Sequence, residues 1–180
     1  MVDKIILVGM MGAGKTTVGR ALADRLGWTH CDSDAQVAAD TGRSVPELFA
    51  ERGEAAFRAE ESRVLAEALS RPGPAVVSAA GGVVLSPDNR ALLARSGAVV
   101  WLRADPQLLV RRVGSGQGRP LLDADPATAL LELYEARRPL YESVAQITVD
   151  VDGRSPGEVV DELLADARLA AAGIGTGGAP

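Results

Sequence analysis

The chain has 180 residues, 47% of them hydrophobic and 24% charged; this is the composition of an ordinary globular protein and enough length for one compact domain with a sizeable core, which excludes a disordered or fibrous polymer. A formal charge of −5 argues against nucleic acid as the partner, because binding a phosphate backbone calls for a basic face. One cysteine, Cys31, and one histidine, His30, exclude an intrachain disulfide, a cysteine metal cluster and a two-histidine metal site.

In chain order, Lys4-Ile5-Ile6-Leu7-Val8 is a short apolar run that ends at Gly9, the pattern of a buried parallel strand feeding a loop. Beyond that loop Val18, Leu22 and Leu26 recur at helical spacing up to Gly27, so the first unit reads strand, glycine loop, helix. A weak strand is expected near Thr29 to Cys31, followed by an extended Asp32-Ser33-Asp34. Helical stretches are expected at Val45 to Arg52 and Glu54 to Leu69, then a strand at Ala75 to Ala79, a helix at Asp88 to Arg95 and a strand at Ala98 to Leu102. Pro106 to Val113 and Pro126 to Tyr141 read as helices, Gln146 to Val151 as a more alternating strand and Pro156 to Leu169 as a last helix. Strands alternating with helices specify a three-layer α/β/α fold around a parallel sheet of about five strands. Gly114-Ser115-Gly116-Gln117-Gly118-Arg119-Pro120 reads either as a mobile flap within a lid of about 113–125 or as a plain surface loop, and the small residues from Ala170 to Pro180 read as a disordered tail after a single domain, 1–169.

No apolar run approaches the roughly 20 residues that a membrane helix needs, and Met1 leads into a strand-like segment without a signal-peptide pattern, so a cytoplasmic protein is expected. Nothing marks an apolar association face, and a monomer is expected.

The strongest chemical signal is Gly9-Met10-Met11-Gly12-Ala13-Gly14-Lys15-Thr16, a match to G-x-x-x-x-G-K-[ST]. Its glycines let backbone N–H groups turn inward around phosphate oxygens at a helix N-terminus; Lys15 then reaches the terminal phosphates and the Thr16 hydroxyl coordinates magnesium. This is the signature of a P-loop that holds ATP, with Gly12, Ala13, Gly14, Lys15, Thr16 and Thr17 around the phosphates. Asp32 and Asp34, two apart on an extended segment, are expected to point the same way, one toward magnesium and the other toward the proton of a substrate hydroxyl. Ala79-Ala80-Gly81-Gly82 follows a strand, where consecutive glycines serve either a tight turn or close approach to a ligand. Arg58, Arg119 and Arg137 carry guanidinium forks suited to carboxylate or phosphate, although a surface location explains a single arginine as well.

In chain order these motifs are the P-loop, Asp32-Ser33-Asp34, Phe57-Arg58-Ala59-Glu60-Glu61, Gly81-Gly82, Arg119-Pro120-Leu121-Leu122 and Arg137-Arg138-Pro139-Leu140-Tyr141, and the set resembles the shikimate kinases over nearly the whole chain. The resemblance implies a P-loop kinase with a five-stranded parallel sheet, a lid closing over ATP, and transfer of phosphate from ATP to the shikimate 3-hydroxyl with Mg2+ as cofactor. It implies that Asp34, Arg58, Gly81, Gly82 and Arg137 bind shikimate, that Asp34 is the proton acceptor, that Glu61 orients the acceptor subsite and that Asp32 lies near the magnesium. It further implies that Arg119 meets the transferring phosphoryl group and that Arg112 and Arg154 border adenine. The family has a third glycine where this chain has Ala80, so strain is expected there if that position needs positive φ. Two rival readings stand beside it: a gluconate or nucleoside monophosphate kinase of the same architecture, and a nucleotide-binding regulatory protein without catalysis.

Overall fold

A computed structural model describes residues 3–114, 120–122, 125–166 and 169. Five strands, β1 (Lys4–Val8), β2 (Thr29–Asp32), β3 (Ala75–Ser78), β4 (Ala98–Arg103) and β5 (Ile147–Asp150), form one sheet in the order β2-β3-β1-β4-β5. Every neighbouring pair is parallel. β1 lies at the centre and is buried along its whole length, as is β3, which is why both read as nearly continuous apolar runs. β2 is an edge strand with one neighbour and a polar sequence, Thr-His-Cys-Asp, so its signal in the sequence is weak.

The helices follow the strands: α1 (Lys15–Leu26), α2 (Ser33–Thr41), α3 (Val45–Ser70), α4 (Pro87–Ser96), α5 (Pro106–Val113), α6 (Pro126–Val144) and α7 (Pro156–Ala165). α3 contains one residue outside helical geometry, Gly53 at φ 78°, ψ 174°, so the expected division into two helices at this position holds. α6 continues past the expected Tyr141 to Val144, and α7 stops at Ala165, short of Leu169.

α2 corrects the extended reading of Asp32-Ser33-Asp34. Asp32 is the last residue of β2 and the N-cap of α2, accepting hydrogen bonds from the Asp34 N–H at 3.1 Å and the Ala35 N–H at 3.2 Å. An aspartate placed there satisfies two otherwise orphaned amides, and Gly42 closes the helix at φ 63°; these start and stop signals were present in the sequence. The expected lid falls largely on residues outside those described, as do Arg119 and the tail at 170–180.

Apolar side chains form two cores. The larger spans the sheet and both helical layers; the smaller consists of Val37, Leu48, Phe57 and Val64, with Val45 and Phe49 packed against it, and joins α2 to α3.

Candidate active site

The glycine loop leaves β1 at its C-terminal end and delivers Lys15 and Thr16 to the first turn of α1. Gly14 takes the N-cap position at φ 90°, ψ 18°, a left-handed conformation that suits glycine. Gly9 cannot carry a side chain for a second reason: a Cβ there would lie 2.6 Å from the Leu102 carbonyl oxygen. Lys15 Nζ donates to the carbonyl oxygens of Gly9 at 2.9 Å and Met10 at 3.0 Å, so the ammonium is held over the loop. Thr16 Oγ1 donates to Asp32 Oδ2 at 2.5 Å.

A cavity of about 260 Å³ lies on one side of the loop, lined among others by Gly12, Ala13, Gly14, Thr17, Arg112 and Arg154. All six are residues expected to contact ATP. Arg112 reaches across to donate to the Gly12 carbonyl at 3.1 Å. Arg154, which lines the cavity, is held by the carbonyls of Asp150 and Glu158 and by the Glu162 carboxylate.

On the other side a second cavity, of about 210 Å³, collects Asp34, Arg58, Glu61, Gly81, Gly82 and Arg137, with Lys15 at the boundary. The sequence-derived acceptor residues therefore share one pocket, while Asp32 is tied to Thr16. The expectation that Asp32 and Asp34 point the same way does not hold: they start a helix, where successive side chains diverge, and so serve different sites.

The charged groups in this pocket are strongly coupled. Burial raises the Asp34 carboxyl above its ordinary value, although Lys15 pulls the other way. Burial likewise pushes Glu61 up to about 7, against the opposing pull of Arg58, whose Nη1 donates to Glu61 Oε2 at 2.5 Å. Desolvation pulls Arg58 down, but the charges and hydrogen bonds of Glu61 and Glu54 together outweigh it and shift the guanidinium upward. Arg137 is only 2% exposed, and its Nε has no hydrogen-bond partner among the described residues. A buried cation with an unused donor costs free energy, which is lowered here by the Glu61 carboxyl and the Tyr141 hydroxyl beside it.

Gly82 has an ordinary φ of −88°, and its lack of a side chain matters for where the movable end of Arg58 can rest. A Cβ there would lie 1.9 Å from Arg58 Nη1, so the guanidinium occupies the volume the missing side chain leaves. Ala80 carries no strain: among the described residues no non-glycine has positive φ, and its N–H donates to Ser33 Oγ at 2.7 Å. Sequence reasoning missed the apolar wall of this pocket, made by Met11, Phe49, Phe57 and Leu121. Phe57 lies within a quoted motif, but nothing local says that its ring packs under Arg58, with the guanidinium carbon 5.4 Å from the ring centroid.

A P-loop at the end of β1, a cleft beside its glycines and a second pocket holding two arginines and shifted carboxyls define a small-molecule kinase. The shikimate kinase family model matches residues 11–168, and the chain belongs to the shikimate kinase family. Curated relatives named shikimate kinase include one from Ruegeria pomeroyi, 48% identical over 89% of this chain and 83% of that protein, and one from Enterococcus faecalis, 41% identical over 90% and 96%. Among solved structures, shikimate kinase from Acinetobacter baumannii in complex with shikimate aligns with a TM-score of 0.88 at 36% identity, over 96% of this chain and 95% of that one. A gluconokinase from Sinorhizobium meliloti aligns less closely, with a TM-score of 0.60 at 25% identity over 94% of each chain. No described helix is long and apolar enough to cross a membrane.

Proposed function

We propose that the chain transfers the γ-phosphoryl group of ATP to the 3-hydroxyl of shikimate, giving shikimate 3-phosphate and ADP, and that the residues above carry the reaction as follows. The acceptor's carboxylate pairs with Arg58 and Arg137, the buried and partly unpaired Arg137 being the observation that carries the reading. Asp34 takes the ring hydroxyls and then the proton of the reacting one, and its upward shift brings it closer to the basicity that task needs. Glu61 orients Arg58 through their hydrogen bond. The acceptor oxygen forms its bond to the γ-phosphorus as the bond to the β-bridging oxygen breaks; the hydroxyl proton goes to Asp34 and the electron pair leaves with ADP.

Lys15 steadies the charge of the transferring group. Arg119, outside the described residues, is assigned the same task from the lid, with residues 113–125 closing to exclude water. Gly12 to Thr17 cradle the phosphates, and Arg112 and Arg154 border the base. Thr16 and Asp32 present hard oxygen donors side by side, which suits Mg2+; among the described residues no cluster of three acidic, histidine or cysteine side chains could hold a metal alone, and Mg2+ commonly takes few protein ligands beside substrate phosphates. When bound there, the ion supplies charge neutralisation at the phosphates. The protein would work as a cytoplasmic monomer with one domain.

The test is ADP release with Mg-ATP, comparing shikimate, gluconate, nucleoside monophosphates and no acceptor. Shikimate-dependent release, with the product phosphorus coupled to the C3 proton by NMR, is the expected outcome. Release with gluconate or a nucleotide instead keeps the P-loop kinase and discards the acceptor, and nucleotide binding without turnover on any acceptor favours a regulatory protein.

A further inference from the structure

Tyr141 ends the Arg137 to Tyr141 motif, yet none of the roles above falls to it. Its side chain, on the inner face of α6, is fully buried and stacks on Trp101 of β4 with ring centroids 5.9 Å apart. The hydroxyl lies where three functional pieces meet. It donates to the Gly81 carbonyl oxygen at 2.7 Å, it is 3.6 Å from the sulfur of Met10 in the P-loop, and a Cβ built on Gly81 would come within 3.5 Å of it and 3.6 Å of Arg137 Nη1. A phenol has one proton to donate. The short contact to Gly81 takes it and leaves the thioether as a polarisable neighbour.

Burial pushes the phenol up to about 12 although Arg137 beside it pulls the other way, so the hydroxyl remains a donor at any pH at which the enzyme would work. The Gly81 carbonyl meets a fully buried phenol, so deleting that donor leaves a partly buried acceptor without its partner. From Gly81 the chain passes directly to Gly82, which borders Arg58, while Arg137 lies one helical turn before Tyr141 on α6.

We propose that the Tyr141 hydroxyl is a positioning residue for the acceptor: by holding the Gly81 carbonyl beside Arg137, it sets the Gly81-Gly82 backbone and that guanidinium in one fixed relation. The inference rests on the reading that this pocket receives a carboxylate-bearing acceptor.

Tyr141→Phe keeps the ring and its stack on Trp101 and deletes one oxygen atom. The expected result is a rise of about five- to tenfold in KM for shikimate, the scale of one lost buried hydrogen bond, with kcat and the KM for ATP within about twofold. Calorimetric titration of shikimate into the nucleotide-free protein should weaken by the same factor. Tyr134→Phe is the control: it deletes the other tyrosine hydroxyl of α6, which does not line the pocket, so its shikimate KM should stay within about twofold of wild type. An unchanged shikimate KM in Tyr141→Phe, an equal loss for ATP and shikimate, or an equal effect of Tyr134→Phe overturns the assignment. If the wild type turns over a different carboxylate-bearing acceptor, the acceptor reading falls while the same split, measured with that compound, still decides the role of Tyr141.

Discussion

The phosphate loop rests on the central strand of a sheet whose core runs through both helical layers, whereas the end of α2 and α3 that carries Asp34 and Arg58 rests on four buried side chains, Val37, Leu48, Phe57 and Val64. The loop's carbonyls hold Lys15, and Thr16 is tied to the edge strand through Asp32. On the acceptor side, Asp34 starts a nine-residue helix and Arg58 follows shortly after the break in α3 at Gly53. The difference matches the two tasks. A triphosphate presents the same geometry in every reaction and suits a fixed cradle, whereas selecting one acceptor depends on a few charges whose placement a small separate core can set on its own.

The harshest way to break this arrangement is at the cradle. Lys15→Met should lower kcat/KM by about a thousandfold or more, the scale of removing a charge aimed at a transferring phosphoryl group, without much change in shikimate binding measured by calorimetry. Turnover near that of wild type would end the P-loop assignment. Arg137→Ala addresses the acceptor side alone: KM for shikimate should rise roughly 10- to 100-fold while KM for ATP stays within about twofold, the scale of a lost charge-assisted hydrogen bond. Equal losses for both substrates would make Arg137 structural.

Gly53→Ala tests whether the join in α3 is set by backbone conformation. At φ 78°, ψ 174° an alanine is strained by about 1–3 kcal/mol, so Tm should fall by roughly 2–10 °C. An unchanged Tm would mean that the chain relaxes through this point. The mildest test concerns Glu61. An unfolded glutamate loses its proton near 4.5, whereas Glu61 holds it to about 7. Between those values the folded chain binds the extra proton, so this contribution to stability is full below pH 4.5 and is lost as pH rises through 7. Asp34 is shifted in the same direction. Relative to wild type, Glu61→Gln should therefore flatten the decline of Tm between pH 5 and pH 8; parallel curves for the two proteins would show that Glu61 titrates normally.

Much of this site was legible because its signals are local. An apolar run followed by G-x-x-x-x-G-K-T requires no partner to be recognised, and β1, β3 and β4 read clearly because strands buried on both faces are apolar at nearly every position. The acceptor residues came from motif order, and the structure gathers the described ones in one pocket. What escaped depends on contacts across the fold. Asp32-Ser33-Asp34 reads as extended when Asp32 is taken for a metal-side carboxylate, whereas the same side chain both caps α2 and meets Thr16. The question over Ala80 turned on a φ angle, and the roles of Met11, Phe49 and Tyr141 on neighbours far away in sequence, such as Gly81, which is 60 positions from Tyr141.

Asp32 carries a further consequence. One of its oxygens receives the backbone amides of Asp34 and Ala35, and the other receives the hydroxyl of Thr16. A single carboxylate thus joins the first turn of α1 to the first turn of α2. Lengthening it by one methylene, as in Asp32→Glu, would disturb both contacts at once, so a change at this one side chain would be felt at the P-loop and at the start of α2 together.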